Sequence, residues 1–348
     1  MQLNKFKIQL KNVAINFIYF LLPLKIVGFL WDVFAIARIR HLRRIDPEVV
    51  KISIDNITFT MFLEEGSHQS PGYINTSLGN DIYEETMIYC LSTILNSSKS
   101  ITFFDIGSYI SYYALYVSAF TNDKAIVYSI ESNPKYLNIS EKSKEANKFK
   151  NMFNINTILS DKKDSYIVHN LTVVKEDHIK KYQTERLIYD KNEKKELNDI
   201  LKNGKIQEST TLENFCSERN LKPNVLKIDV HGAEGLILNG AKKILEDHVE
   251  YVLLEVHQQQ LLDLFSEGIK KTEILKLLIS LRFDIYLISP FRYNKKNSDY
   301  KKYKSTKKLK YLKLTKDNLD EVLFDRNQFD MFVLAVKNHK SISDLNCV

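Results

Sequence analysis

The chain reads FFDIGSYISYYAL from Phe103 to Leu115. A short apolar run ends there in an aspartate and a turn with a single glycine. Residues 112–120 then continue with the apolar spacing of a helix. A buried strand that passes through a tight turn into a helix is the repeating unit of parallel sheets.

The same alternation recurs on both sides of this stretch. Strands are predicted at 101–106, 125–130, 155–159, 225–228 and 251–256, and helices at 112–120, 135–147, 212–219, 233–246 and 270–281. Two further strands, 283–288 and 329–336, are expected to pair antiparallel as a hairpin. The sequence therefore predicts an α/β fold, a doubly wound, mostly parallel, Rossmann-like sheet closed by an antiparallel hairpin.

The segments before this sheet have a different pattern. Residues 1–50 form an apolar and basic helical segment, and residues 51–100 are a lead-in with a strand at 51–62 and a helix at 81–95. The main domain is expected to span residues 101–348. It would carry a charged insertion at about 162–208, interpreted as a lid or surface excursion, and a basic loop at 292–313.

Composition excludes several classes of protein. Of the 348 residues, 44% are hydrophobic and 27% charged, with only 10 glycines and 6 prolines, which excludes collagen-like and low-complexity chains. Cys90, Cys216 and Cys347 are too few and too scattered for a disulfide framework, and no CxxC pair is present. A reducing compartment fits best.

The net charge of +7 is concentrated in two places. Residues 1–44 carry eight basic side chains against Asp32, and residues 292–313 carry ten against Asp299, so the rest of the chain is acidic. An acidic body with two basic appendages indicates contact between the appendages and an anionic surface, rather than a nucleic-acid channel through the body.

The N-terminal appendage is also strongly apolar. Residues 13–37 approach the length of a membrane span, but Pro23, Lys25 and Asp32 interrupt them. We expect a helix lying at a membrane surface, with the chain cytoplasmic and peripheral on the cytoplasmic face. A helix packed on the protein's own core, or a signal peptide ending near the small residues Ala35 and Ala37, are the alternatives.

The basic loop at 292–313 interleaves four tyrosines with its lysines. That mixture suits anionic lipid headgroups or a glycolipid, a solvated hairpin, or single-stranded nucleic acid, where bases would stack on the tyrosines. The apolar N-terminal segment favours the lipid interpretation and makes nucleic acid the least favoured partner.

Acidic residues lie at the ends of three successive predicted strands. Asp105 precedes Gly107, Glu131 lies at the end of the second strand and Asp161 follows the third. Ligands of doubly wound sheets bind outside the carboxyl ends of the strands, and an acid about 20 residues beyond the glycine turn takes ribose hydroxyls. The pattern predicts an adenosine-containing ligand, its ribose at Glu131 and its adenine at Asp161.

Two kinds of adenosine ligand compete for this position. A dinucleotide needs several glycines in the turn and a helix end with no acid before it. This turn has one glycine and is preceded by Asp105. An NAD-dependent oxidoreductase is therefore the weaker interpretation. An acid before a single glycine suits a cationic ligand, and S-adenosylmethionine carries both a sulfonium and an amino group.

The chain resembles the FkbM family of S-adenosylmethionine-dependent methyltransferases over about residues 80–260. The resemblance rests on six segments: FFDIGSYISYYAL (103–115), YSIESNP (128–134), LSD (159–161), TTLENF (210–215), VLKIDVHGAEGLILNGAKKIL (225–245) and LLEVH (253–257). It implies the class I methyltransferase fold and, most often, methylation of a hydroxyl on a sugar or related metabolite.

The resemblance also implies a cofactor site. The methionine part would lie against Asp105, Gly107 and Ser108, with Glu131 on the ribose and Asp161 on the adenine. Ser111 and Asn133 are further candidates. The turn departs from the family's DIGANIG at Ser108, Tyr109 and Ser111, and lost glycine freedom with a bulky Tyr109 would narrow the pocket.

The candidate catalytic residues follow the fourth and fifth strands. Residues 229–231 read Asp-Val-His where the family has Asp-Val-Glu, so His231 stands in place of the glutamate. An extended backbone would point the side chains of Asp229 and His231 the same way. We expect them to orient and deprotonate an acceptor hydroxyl, with His257 as the second candidate base. No His and Asp spacing indicates a metal site. Lys227, inside the fourth strand, is expected to reach a carboxylate such as Glu255 or Asp105.

Two functions follow from these observations. The first is an S-adenosylmethionine-dependent O-methyltransferase acting on a saccharide or lipid-linked saccharide. The alternative is a non-catalytic, membrane-associated module that keeps the fold but has lost the cofactor through Tyr109 and Ser111.

Overall fold

A computed structural model describes residues 48–64, 82–169, 172–177, 202–288, 311–324, 326 and 329–340. The N-terminal apolar segment up to residue 47, most of the basic loop and the middle of the charged insertion lie outside these residues. The domain boundaries drawn from the sequence stay a prediction. In the described part of the chain, no helix combines the length and the apolar character that crossing a membrane requires.

The described chain contains fourteen strands and nine helices. The strands are β1 (Val49–Ile54), β2 (Ile57–Phe62), β3 (Thr102–Ile106), β4 (Ile126–Glu131), β5 (Met152–Asn156), β6 (Ile158–Leu159), β7 (Ser165–His169), β8 (Thr172–Lys175), β9 (Lys205–Thr210), β10 (Val225–Ile228), β11 (Tyr251–Val256), β12 (Phe283–Ile288), β13 (Tyr311–Leu314) and β14 (Met331–Lys337). The helices are α1 (Glu85–Ser97), α2 (Tyr112–Thr121), α3 (Pro134–Asn147), α4 (Leu212–Arg219), α5 (Glu234–Asn239), α6 (Lys242–Asp247), α7 (Gln259–Phe265), α8 (Lys271–Ser280) and α9 (Leu319–Phe324).

The main sheet has eight strands in the order β13-β12-β14-β11-β10-β3-β4-β5. Strands β5, β4, β3, β10 and β11 are parallel neighbours, whereas β14 pairs antiparallel with both β11 and β12. The doubly wound α/β fold of the class I methyltransferase type is thus confirmed. The strand order reverses between β3 and β10, which is where such sheets bind their ligands.

Both faces of this sheet are covered, because its central strands are apolar on both sides. Phe103 packs in one core with α1, α2 and the β1–β2 hairpin, and the next residue, Phe104, packs in the other core with α4 to α8. The alternation along one strand therefore distributes its side chains between two cores.

The closing strands pair as predicted, but they are not consecutive. β12 and β14 are antiparallel over Phe283 to Ile288, and β13 lies between them along the chain and pairs with the other edge of β12. Residues 311–313, assigned to the basic loop from their lysine content, therefore belong to a strand.

Three predicted elements are wrong in detail. Residues 51–62 form the hairpin β1–β2 rather than one strand, because Asp55 takes a left-handed φ of 50° and allows a two-residue turn. Residues 155–159 divide between β5 of the main sheet and β6 of a second sheet. The helix predicted at 233–246 is broken at Gly240, where a Cβ would lie 2.1 Å from the carbonyl oxygen of Ser160.

The charged insertion contributes β7, β8 and most of β9 to a second sheet of four strands, in the order β6-β9-β7-β8. Its strands β7 and β8 bring Tyr166, Val173 and Lys175 to the wall of the main cavity. The described part of the insertion thus adds a wall to the site.

The N-terminal hairpin is attached to α3 by side-chain hydrogen bonds. Asn147 accepts from the backbone N–H of Thr60 at 2.7 Å and donates to its carbonyl at 2.6 Å, and Ser143 accepts from the N–H of Phe62 at 2.9 Å. An amide that satisfies both backbone groups of an edge residue acts as one more sheet partner.

Candidate functional site

A cavity of about 340 Å³ opens at the carboxyl ends of β3, β4, β10 and β11. Its lining includes seven of the residues selected from the sequence, namely Asp105, Gly107, Ser108, Glu131, Asp229, His231 and His257. The volume lies within the range of small-molecule sites. One space therefore joins the predicted cofactor-binding and catalytic groups.

Gly107 shapes the floor of the cavity. Its φ is +75°, and an added Cβ would lie 1.9 Å from the carbonyl oxygen of Asp229, so no larger residue fits. The backbone N–H groups of Gly107 and Ser108 both donate to the carbonyl of Ile130, at 3.0 and 3.2 Å. The turn after β3 is thereby attached to the end of β4.

Asp105 carries an unsatisfied buried oxygen. Its Oδ2 accepts the N–H of Ala114 at 3.1 Å, whereas Oδ1 has no hydrogen-bond partner among the described residues. Burial raises the pKa of Asp105 to about 6, and the ammonium of Lys227 opposes that rise. An orphaned carboxylate oxygen on a residue that lines a cavity fits a ligand that donates from a cationic amino group.

Glu131 is nearly buried and its carboxylate is already oriented. It accepts the N–H of Tyr109 at 2.9 Å on Oε2 and the N–H of Asn133 at 2.8 Å on Oε1. Burial raises the pKa of Glu131, and these hydrogen bonds oppose the rise. The Ser132 hydroxyl also donates to Oε1, at 3.2 Å. Because a carboxylate has about four acceptor positions, one remains for a ligand hydroxyl.

Two of the three departures from the family turn, Ser111 and Tyr109, have local structural explanations. Ser111 takes the left-handed conformation with φ 67°, and its fully buried hydroxyl bonds to those of Ser129 and Ser140. Tyr109 also has a positive φ, of 50°, and its hydroxyl donates to Glu64 at 2.7 Å. Buried hydrogen bonds thus accompany a conformation in which glycine is the usual residue.

Three predicted cofactor residues do not line the cavity. Ser111 points into the serine cluster beneath the turn, and Asn133 accepts the N–H of Lys135 at 2.9 Å as the N-cap of α3. Asp161 lies two residues after Leu159, which does line the cavity, and its carboxylate accepts a hydrogen bond from the Ser160 hydroxyl at 3.2 Å.

Lys227 pairs with neither carboxylate expected from the sequence. Its Nζ lies 2.9 Å from Oδ2 of Asp229, two residues along the same strand end. Burial lowers the pKa of Lys227, but the charges of Asp229 and Asp105 outweigh burial and raise it. The same ammonium lowers the pKa of Asp229 against the effect of burial.

The catalytic candidates meet in a cluster. The Nδ1 atom of His231 lies 3.0 Å from Nε2 of His257, and that Nε2 lies 3.7 Å from Oδ1 of Asp229. The backbone after β10 is not extended, since His231 has φ 53° and Gly232 has φ 109°. A left-handed turn, rather than the extended backbone expected from the sequence, brings Asp229 and His231 to the same side.

Glu234 organises this cluster, a role that its position in the first turn of α5 did not reveal. The side chain is fully buried, and its Oε1 lies 2.7 Å from Nδ1 of His257 and 3.0 Å from the backbone nitrogen of Gly232. Burial lowers the pKa of His257, but Glu234 and Asp229 outweigh burial and raise it to about 9. Burial lowers the pKa of His231.

A further part of the cavity wall was not found from the sequence. It consists of Tyr83 and Glu84 before α1, Tyr112 and Tyr113 of α2, and the apolar side chains of Leu261, Leu264 and Phe265 around α7. The Tyr113 hydroxyl donates to the carboxylate of Glu84. These residues lie far apart in the chain. In the sequence, their apolar character fits a position in the hydrophobic core as well as it fits a place in the wall of a binding site.

A family model described as "Methyltransferase FkbM domain" matches residues 105–278, half of the chain. The chain belongs to the FkbM methyltransferase family. FkbM proteins are S-adenosylmethionine-dependent methyltransferases, and the matched residues run from Asp105 through the catalytic candidates into α8. The resemblance found in the sequence motifs is therefore confirmed.

Solved structures of methyltransferases are also similar to this FkbM chain. Methyltransferase FkbM from Methylobacillus flagellatus is 14% identical, with 56% of this chain and 41% of that chain covered and a TM-score of 0.34. A SAM-dependent methyltransferase from Agrobacterium tumefaciens is 8% identical, with 84% and 71% covered and a TM-score of 0.37. Aeropyrum pernix fibrillarin, solved with bound S-adenosyl-L-methionine, is 11% identical, with 71% and 73% covered and a TM-score of 0.32. No curated protein sequence matches the chain.

Proposed function

We propose that this FkbM methyltransferase transfers a methyl group from S-adenosylmethionine to a hydroxyl of a saccharide or lipid-linked saccharide. The observation that carries the proposal is the shared cavity. Asp105 and Glu131 line one part of it, and the Asp229, His231 and His257 cluster lines another.

The residues present suit the cofactor. The orphaned Oδ1 of Asp105 can accept from the ammonium of the cofactor, and the remaining acceptor position of Glu131 can take a ribose hydroxyl. Ser108 and the apolar Ile130 and Leu159 line the cavity beside them. The bound cofactor supplies a methyl group on a positively charged sulfur that leaves as a neutral thioether.

The task left to the protein is alignment and removal of one proton. The acceptor hydroxyl would take the methyl group that the cofactor supplies, with the carbon–sulfur electron pair remaining on the thioether sulfur, and it must give up its proton to a residue of the protein. His231 can accept that proton, since its lowered pKa keeps the imidazole neutral near pH 7, and the nearby Asp229 stabilises the imidazolium that forms. His257 is held by Glu234 and positions His231.

The tyrosine wall supports a saccharide acceptor. Tyr83, Tyr112 and Tyr113 present aromatic rings, and Glu84 adds a carboxylate in the same wall. The hydroxyls of Tyr112 and Tyr113 already donate to the Tyr83 carbonyl and to Glu84, so they offer acceptor positions to a ligand. A sugar presents the complementary combination of C–H faces and hydroxyls, so the same wall can both pack on a ring and bond its polar rim.

Calorimetry with S-adenosylmethionine and S-adenosylhomocysteine tests the cofactor part of the proposal. We expect micromolar binding that the Glu131→Ala variant abolishes and that the surface variant Glu145→Ala, on exposed α3, retains. Absence of binding to the wild-type chain would favour the non-catalytic module. Incubation of the chain with labelled cofactor and a panel of free, nucleotide-linked and lipid-linked sugars then tests the acceptor class.

We also propose that the chain lies at an anionic membrane surface. This proposal rests on the charge pattern of residues 1–44 and 292–313 in the sequence. Flotation with anionic and zwitterionic vesicles should show salt-sensitive binding to the anionic ones only. A variant with Lys307, Lys308 and Lys310 changed to glutamate should lose part of that binding, and equal flotation of both proteins with both vesicles would contradict the proposal.

A further inference from the structure

Asp229, His231 and His257 each offer one ligand atom to a common point. The three atoms lie within 4.8 Å of one another. Two ligand atoms about 2.1 Å from one ion are about 3.0 Å apart at a right angle and at most about 4.2 Å apart across it. The measured separations of 3.0 Å between the two imidazole nitrogens and 3.7 Å between Asp229 and His257 lie in that range.

A second observation, independent of this clustering, also indicates a missing partner. Oδ1 of Asp229 is buried and has no hydrogen-bond partner in the described chain, although Oδ2 is held by Lys227 at 2.9 Å. The carboxylate is thus fixed with one oxygen occupied and the other aimed toward the histidines. Leaving a buried carboxylate oxygen without a partner is costly, and a cation supplies one.

The surroundings of His257 match those of a metal-ligating histidine. Such histidines usually donate from one ring nitrogen to a carboxylate, which fixes the tautomer and turns the other nitrogen toward the metal. Here Nδ1 lies 2.7 Å from Oε1 of the fully buried Glu234, and Nε2 faces Asp229 and His231. Glu234 would thus orient the ligand without binding the ion.

The charges around the cluster favour a cation. Asp229, Glu234 and Glu255 lie within 4 Å of His257, and Asp105 ends the neighbouring strand, whereas Lys227 is the ammonium paired at this edge. Carboxylates therefore outnumber the ammonium. His231 is exposed toward the cavity and has a left-handed φ of 53°, a strained conformation that is common at ligand sites.

We propose that Asp229, His231 and His257 bind one divalent transition-metal ion facing the acceptor end of the cavity. Two imidazoles and one carboxylate suit zinc or iron(II) better than magnesium or calcium, which prefer all-oxygen sites. Three protein ligands leave coordination positions open for an acceptor oxygen. Binding of the ion does not depend on the proposed function. The catalytic role of the ion, however, rests on the proposed methyl transfer to a hydroxyl. The ion would polarise the acceptor hydroxyl, and His231 would then be a ligand rather than a base.

The test uses the full chain after treatment with a chelator. Titration with zinc chloride, followed by calorimetry and by metal analysis of the desalted protein, should give one zinc per chain, and magnesium chloride should bind at least about a hundredfold more weakly. Cobalt(II) should give a visible absorption band of a low-coordinate site. His339→Ala, a histidine on the exposed surface, is the matched control and should leave both results unchanged.

The variants His231→Ala and Asp229→Asn should each weaken zinc binding by at least about tenfold. Their thermal unfolding and binding of S-adenosylhomocysteine, measured in the same samples, show whether the fold and the cofactor site persist. Wild-type protein that binds no stoichiometric zinc, or variants that bind it like the wild type, would overturn the metal site. A wild-type chain that does not bind S-adenosylhomocysteine would instead refute the proposed function and leave the metal result standing.

Discussion

An added Cβ at Gly107 would lie 1.9 Å from the carbonyl oxygen of Asp229. The turn after β3, which faces the predicted cofactor, is therefore in backbone contact with the end of β10, which carries the catalytic candidate. This contact follows from the parallel pairing of the two strands at the point where the strand order reverses. Neither segment can shift without displacing the other.

Replacing Gly107 with alanine should lower both stability and cofactor affinity. The left-handed φ of +75° and the collision with Asp229 together should reduce the free energy of unfolding by about 2 to 4 kcal/mol. Gly268→Ala is the matched control, because Gly268 has φ +80° but open space around its Cβ position. Urea unfolding that gives equal losses for the two variants would show that the contact with Asp229 contributes nothing.

Asp105 should make cofactor binding depend on pH. Its pKa of about 6 means that the carboxylate is mostly protonated at pH 5, so the dissociation constant of S-adenosylhomocysteine should be about tenfold higher at pH 5 than at pH 7. Calorimetry across this interval measures the change. The Asp105→Asn variant should bind weakly with no such step, and a step of equal size in that variant would assign the titration to another group.

The carboxyl group of Asp105 should also affect stability. Whereas cofactor affinity rises with pH, the contribution of Asp105 to the free energy of unfolding should fall. Its folded-state pKa is raised from 3.8 to about 6, so its ionisation opposes folding. The contribution of Asp105 to the free energy of unfolding is largest below pH 3.8 and should fall by about 3 kcal/mol as the pH rises through about 6. Comparing urea unfolding of the wild type and Asp105→Asn at pH 4.5 and 7 isolates this contribution.

Removing the charge of Lys227 should strongly destabilise the protein. Lys227→Met leaves buried Asp229 without its ion-pair partner, which should cost about 3 to 5 kcal/mol. The surface variant Lys243→Met, whose ion pair with Asp247 is exposed, should cost less than about 1 kcal/mol. Similar thermal unfolding of the two variants would mean that the buried pair is not formed.

Glu234 should control the protonation of His257. In metal-free protein, NMR titration should place the pKa of wild-type His257 near 9, and Glu234→Gln should lower it because the carboxylate charge is lost. The stability contributed by this histidine, complete below about pH 6.5, should disappear as the pH rises through about 9 in the wild type and at lower pH in the variant. An unchanged pKa in Glu234→Gln would assign the shift to Asp229 instead.

Much of the sheet was readable from the sequence because strand period, strand length and turn residues are local properties. The strands around Asp105, Glu131 and Asp229, and the helices that follow the first two of them, were predicted close to their observed bounds. Errors arose where a distant contact decided the outcome. The helix predicted at 233–246 is interrupted because Gly240 packs on Ser160, and residues 155–159 divide because β6 pairs with β9, about 50 residues further on.

The amino-acid sequence by itself determined the family, the doubly wound sheet and the placing of acidic residues at successive strand ends, because each depends on residues within one turn or strand. Only the tertiary structure decided which of those groups meet. His231 and His257 are 26 residues apart and come together because β10 and β11 pair in parallel, while Glu234 reaches His257 because a left-handed turn folds the chain back. Burial then sets the pKa values and leaves one oxygen of Asp105 and one of Asp229 without hydrogen bonds, since desolvation is a property of the packed molecule and of no single segment.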